Sequence, residues 1–312
     1  VGLVLVLSVG FYYIKTSSIL RKTSRDSIVR ELNQVNDTIQ DQVQTIDSII
    51  PLFMSNEVIQ NALENPGTGI NYPFSVERQM SYIYNSSALS EKNFTDSIYI
   101  YNSRSTVYHA YTSGILENVD DTSEFLQSTI DSANPHLMCY TSPLHDQNMY
   151  FARNLYSSNS GNRIGMIVIN INAQKWIEYC SKTIDPSWFI MLFNKEFSLS
   201  SDSDFSKDQL LDLYSSLTAQ KNSVLFKEQS FGGRDYFMAS QSLERLGLTS
   251  AVAAPKDLLL ENLNSTLKSY LLVTLAVALL SLMAAFIISR AVTRPIDTMI
   301  FHINEISKGN RS

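Results

Sequence analysis

The chain has 312 residues, 44% of them hydrophobic and 17% charged, with 24 Lys plus Arg against 30 Asp plus Glu and a mean hydropathy of -0.05. The average conceals two stretches without charge, Val1–Ile14 and the 21 residues Ser269–Ser289. At roughly 1.5 Å per residue the second makes a helix about 31 Å long, enough to cross a bilayer core of about 30 Å, so a wholly soluble enzyme is excluded.

The first run, 1–14, reads as a truncated membrane helix, and two spans would leave residues 15–268 on one side. That segment holds 20 Lys plus Arg against 28 Asp plus Glu, so no basic surface for nucleic acid is expected. Arg290 and Arg294 place the C-terminal flank in the cytoplasm and residues 15–268 outside the cell. With only Cys139 and Cys180, no disulfide framework holds the fold; two free buried thiols or one bridge remain open.

Apolar residues then recur at Ile28, Leu32, Val35, Ile39, Val43, Ile46, Ile50 and Phe53, which predicts a long stalk helix over 15–50 with a single apolar stripe. The stripe serves either the helix's own domain or the seam of a dimer. Pro51 predicts a kink or break. Asn61–Gly69 has loop chemistry, and a second helix is expected over Phe74–Leu89.

From Asp96 the period changes to two. Ser97–Tyr101 and Thr106–Tyr111 predict a hairpin turning at Asn102–Ser105, with further strands at His136–Thr141, Asn148–Tyr156 and Arg163–Ile171. A helix is expected at Ile115–Ile130 and another at Ala173–Cys180. A smaller set follows Asp185-Pro186: strands at Trp188–Phe193, Ser223–Lys227, Asp235–Ser242 and Leu248–Ala253, and a helix at Lys207–Leu217. Both sets close alike, with Gly165 or Gly247 before a strand and then a helix. The fold class is therefore α+β, two modules in tandem: 51–185 distal to the membrane, and 186–268, with a connecting helix from Pro255, proximal to it, followed by the span 269–289.

Catalytic signatures are lacking. There is no HExxH, GxSxG, Walker loop or Cys/His metal cluster. Ser265-Thr-Leu-Lys268 matches SxxK without companion motifs, and Asp202-Ser-Asp204 lacks the later Gly and Glu of a calcium loop. His109, His136, His145 and His302 are scattered.

Past the second span, Pro295 is followed by apolar Ile296, Met299, Ile303 and Ile306 and then by Gly309, offsets of 1, 4, 8, 11 and 14. Proline suits the first turn of a new helix, the stripe suits a parallel bundle, and Gly309 suits its end. This segment, 290–312, resembles the first helix of a HAMP domain, the dimeric adaptor of bacterial transmembrane receptors. With it, the order of elements is similar to a double Cache receptor: a span, a long helix, a larger and a smaller PAS-like module, a second span and HAMP. Among these it looks most like the YesM-like sensor histidine kinases.

The resemblance implies a homodimer in membrane lipid, with a kinase beyond Ser312 that would use ATP and Mg and act on a response regulator. No cofactor is expected within 1–312, and His302, inside the HAMP-like helix, is no phosphoacceptor. A chemotaxis or diguanylate cyclase receptor would share the layout. The family binds ligands against the central sheet of a PAS-like module, which directs attention to Tyr99, Tyr101, His109, Tyr111 and Arg153. The expected ligand is an extracellular small molecule, with a carbohydrate or a carbohydrate-loaded solute-binding protein implied by the YesM-like resemblance. Arg153, among apolar strand residues, needs an anionic partner, either a ligand or a nearby Asp or Glu. Pro295 and the stripe that follows would transmit the signal.

Overall fold

The computed structural model describes residues 2–65, 72–102, 107–111, 129, 135–141, 148–195, 197–202, 209–210, 213, 217 and 223–307. The chain divides into two units, Arg25–Lys256 and the terminal segments Val1–Ser24 with Asp257–Ser312.

Helix α1 spans Gly2–Met54. All eight residues of its stripe, from Ile28 to Phe53, are buried by this chain itself. The side chains of α1 reach both sheets: Asn36 Nδ2 donates to Gln241 Oε1 at 2.8 Å, and Arg153 Nη1 donates to Asp47 Oδ1 at 2.9 Å. The stripe is thus core of its own domain, and it is not available as a dimer seam. Pro51 does not break the helix. It lies in the last turn, where its missing N–H forfeits a single bond, and Ser55 N–H closes the end by donating to Pro51 O at 2.9 Å.

Helix α2, Glu57–Glu64, occupies the first part of the stretch expected to be loop. Asn56 caps it, its Oδ1 accepting from the N–H groups of Val58 and Ile59. Ile59, Ala62 and Leu63 bury its inner face, an apolar gain that outweighs the weak helix propensity of Asn61. Helix α3 runs Tyr72–Asn85, and a 3-10 turn at Ser90–Lys92 leads into the strands.

The larger sheet holds β1 (Thr95–Asn102), β2 (Val107–Tyr111), β3 (Met138–Thr141), β4 (Asn148–Tyr156) and β5 (Arg163–Asn172) in the order β2-β1-β5-β4-β3. Helix α4, Ala173–Ser181, follows, capped by Asn172. The smaller sheet holds β6 (Phe189–Phe193), β7 (Ser198–Ser200), β8 (Leu225–Phe231), β9 (Arg234–Leu243) and β10 (Leu248–Pro255) in the order β7-β6-β10-β9-β8. Both sheets are antiparallel throughout. Counted within each sheet, the order is the same twice: second, first, fifth, fourth, third.

Strand β7 was not expected. Three residues, Ser-Leu-Ser, carry too little pattern, and pairing with β6 makes them a strand, Met191 opposite Ser200. Of the expected helix at Lys207–Leu217, Gln209, Leu210, Leu213 and Leu217 are described; the three leucines are buried with Phe189, Met191 and Phe193 in the core of the smaller module. The turn at 103–105 and the helix expected at 115–130, apart from Thr129, lie outside the described residues.

Helix α5 runs Lys256–Ser307. Among the described residues one segment, Leu271–Ala291, is long and apolar enough to cross a membrane; Val1–Ile14 does not meet that measure, so a second span is not established. Pro295 lies inside α5. The expected fresh helix start is therefore replaced by a continuous helix that lacks one backbone donor at that point. Gly309 lies outside the described residues.

Candidate functional site

The register of the larger sheet assembles one face residue by residue, because directly paired residues of an antiparallel sheet share a face. One rung crosses all five strands: Met138 opposite Ala152, Ala152 opposite Val168, Val168 opposite Tyr99, and Tyr99 opposite His109. The next rung runs Tyr140, Tyr150, Asn170 and, across β1, Ser97 and Tyr111. A third joins Asn154, Met166, Tyr101 and Val107.

The result is an aromatic and carboxamide surface. Tyr99 and Tyr150 are 4% exposed and pack with Ala152, Met166 and Val168, flanked by Tyr101, Met138 and Tyr140. The rings of Tyr99 and Tyr101 lie 6.5 Å apart at 35°, and those of Tyr140 and Tyr150 6.4 Å apart at 37°, within the range of favourable aromatic pairs. Asn154 Nδ2 donates to the carbonyl of Thr129 at 2.8 Å, a buried bond that ties the third rung to the stretch between β2 and β3.

Of the residues expected at the site, Tyr99, Tyr101 and His109 share this face, and Tyr111 has its backbone position on it. His109 Nδ1 lies 3.2 Å from Glu77 Oε1 on α3, at the β2 edge. Arg153 is not with them. It pairs with Ile167, one residue out of phase with Ala152 and Asn154, and so projects to the opposite face, where Asp47 meets it. The expected anionic partner is a side chain of α1. Sequence reasoning missed Met138, Tyr140, Tyr150, Asn154 and Asn170; alternation along β3, β4 and β5 puts each on one side of its own strand, and the register then joins those sides to Tyr99.

Gly165 brings β5 close to β1. A Cβ there would lie 2.3 Å from Tyr101 O and 3.2 Å from Leu63 Cδ2, so only glycine allows this approach at the end of the aromatic surface.

Concavities among the described residues lie elsewhere. A groove of about 410 Å³ lies between α1 and the end of β9, floored by Ile39, Val43 and Leu246. Its half-buried polar groups are paired: Asn36 Nδ2 donates to Gln241 Oε1 at 2.8 Å, and Asn36 Oδ1 accepts from Ser250 Oγ, behind the groove, at 2.6 Å; its remaining α1 rim, Asn33, Asp37 and Gln40, is solvated. A second hollow of about 370 Å³ follows α4. There Ser187 Oγ and N–H donate to Asp185 Oδ1 at 2.6 and 2.9 Å; the hydroxyl first and the amide second hold the carboxyl below its ordinary range. Among the described residues no group of His, Cys, Asp and Glu is placed to hold a metal ion. Cys139 and Cys180 are free thiols.

No family model and no curated protein matches the chain. Solved structures do. The ligand-binding domain of the Campylobacter jejuni chemoreceptor Tlp3 in complex with L-norvaline is similar with a TM-score of 0.54 at 16% identity, covering 77% of this chain and 94% of that one. The ligand-binding domain of Mlp24 with asparagine gives 0.51 at 9% identity, covering 79% and 98%. The sensor domain of the V. cholerae histidine kinase DctB gives 0.50 at 14% identity, covering 78% and 99%. At these identities the likeness is one of fold, and the fold is the tandem-sheet one of Cache-type sensor domains.

Proposed function

We propose that this chain is the extracellular ligand-sensing and membrane-crossing part of a bacterial sensor histidine kinase. The observation that carries the reading is the aromatic and carboxamide face of the larger sheet, in a fold shared with receptor sensor domains. The smaller sheet ends directly in α5, which contains the apolar segment Leu271–Ala291, so a route from sheet to membrane is built into the covalent chain.

Small molecules are the ligand class, as in the Tlp3 and Mlp24 complexes. Within that class we favour a neutral, ring-containing polyol such as a carbohydrate. Tyrosine faces stack on sugar rings, Asn154 and Asn170 suit hydroxyl groups, and His109 is the one titratable base among the described residues of this face. Signal output would follow α5 through Pro295, Ile296, Met299, Ile303 and Ile306, as a HAMP-like helix in a homodimer, to a kinase using ATP and Mg and a response regulator. A chemotaxis receptor is the second reading, favoured by the likeness to Tlp3.

The test is titration of the full chain, in lipid nanodiscs, with neutral mono- and disaccharides and with L-amino acids, read by calorimetry and tyrosine fluorescence. A saccharide should bind, and Tyr99→Ala and Tyr150→Ala should each weaken it at least about tenfold. Binding of an amino acid at the same tyrosines would replace the carbohydrate assignment. Binding unaffected by both substitutions would remove this face as the site.

A further inference from the structure

Arg25 and Lys256 are the first and last residues of the unit that carries both sheets, one on α1 and the other opening α5. Each lies over an aromatic ring of the smaller sheet. The Arg25 guanidinium carbon is 5.9 Å from the ring centroid of Phe226 on β8, and Lys256 Nζ is 5.7 Å from that of Phe237 on β9. The two rings stack on each other, with centroids 5.8 Å apart and planes inclined by 20°.

The strand register explains the stack. Phe226 is opposite Ala239 and Glu228 is opposite Phe237, so the two phenylalanines are diagonal neighbours on one face. Pro255 pairs with Tyr236, which delivers Lys256 to the same end of β9. There Lys256 Nζ also meets Glu228 Oε2 at 3.2 Å and Asp235 Oδ2 at 3.9 Å, so the ammonium is held over the ring by two carboxylates.

We propose that Arg25, Phe226, Phe237 and Lys256 form a cation–ring–ring–cation ladder that couples α1 to the start of α5 through the β8–β9 edge of the smaller sheet. Ring faces attract cations and favour offset partners, so each contact depends on the position of the next. Strand β8 is an edge of its sheet, paired there with β9 alone, and is freer to shift than the central strands β10 and β9. Its displacement would move the helix that enters the unit and the helix that leaves it together. The role of the ladder in signalling rests on the sensor reading; its existence does not, and it is testable without any ligand.

The experiment is hydrogen exchange by mass spectrometry on the full chain in nanodiscs. Arg25→Gln should speed exchange of amides 258–264 about threefold, and Lys256→Gln should do the same for amides 26–32, with the larger sheet unchanged. Phe226→Leu should produce both effects at once, and adding Arg25→Gln to it should change nothing further at 258–264. Arg25→Gln alters an exposed side chain, so the test stands even if Phe226→Leu does not fold. Exchange that rises only on the helix carrying each substitution would overturn the ladder, as would additive effects in the Phe226→Leu background.

Discussion

Asp47 on α1 and Arg153 on β4 form a hydrogen-bonded ion pair, Oδ1 to Nη1 at 2.9 Å, and the other oxygen of the same carboxylate lies 3.6 Å from Nη2 of Arg245 in the smaller module. One carboxylate of the long helix thereby faces arginines from both modules. Arg153→Ala should lower stability by about 1 kcal/mol, because both groups are roughly a third exposed and solvent screens them. Asp47→Ala should cost slightly more, about 1.5 kcal/mol, since it removes the longer contact to the largely exposed Arg245 as well. Thermal unfolding of the two variants without ligand checks this, and equal midpoints for Asp47→Ala and the parent would show that the pairs contribute nothing.

Burial moves Cys180. Its thiol is fully buried and pushed from 9.0 up to about 12 by desolvation. The native chain should leave Cys180 unmodified by a thiol reagent at pH 8 and expose it on denaturation. The raised value also sets a sign: the buried neutral thiol supports the fold fully below pH 9, and that support declines as pH rises from 9 toward 12. Cys180→Ala should flatten the alkaline limb of the stability curve over that window. An unchanged limb would assign the alkaline loss to other groups.

Gly165→Ala should be among the most damaging single substitutions in the larger module. The added Cβ meets a backbone carbonyl, Tyr101 O, at 2.3 Å, and strand backbone cannot move aside as a flexible side chain can. A loss of about 3 kcal/mol is expected, measured by urea unfolding. Gly161→Ala is the contrast. Its Cβ meets nothing within 4 Å, but its φ of +67° strains any L side chain, so about 1 kcal/mol is expected there.

Topology can be read directly in cells. Asn159 is exposed in the turn after β4, and Ser307 ends α5 beyond the apolar segment. Asn159→Cys should react with an impermeant thiol reagent in intact cells, and Ser307→Cys only after lysis, as the Arg290 and Arg294 flank requires. The opposite labelling pattern would reverse the orientation and with it the receptor reading.

Pro295→Ala should restore the backbone donor missing from α5 and stiffen the helix past the apolar segment. In the sensor kinase proposed above, joined to a kinase domain, the substitution should change basal activity and ligand response together, with ligand affinity unaltered. Normal basal activity and a normal dose response would show that Pro295 is no joint.

Much of this molecule is written in local patterns. The period of α1 from Ile28 to Phe53, the two-residue alternation of β4 and β5, and the charge-free run after Lys268 each depend on neighbours along the chain, and each is legible without coordinates. The tyrosine pair Tyr99 and Tyr101 is legible for the same reason, since alternation places them on one face. What the tertiary structure decided is which faces meet. Alternation assigns Arg153 to a face but cannot say that this face looks toward Asp47, 106 residues away, and not toward the tyrosines of β1. Nor can it join Tyr140 and Tyr150 to Tyr99, because which strands pair, and in which register, is settled only when their buried faces and connecting turns come together. The fate of the α1 stripe was open for a like reason: an apolar helix face will pack against any complementary surface, and only the folded chain shows that its own sheets supply it.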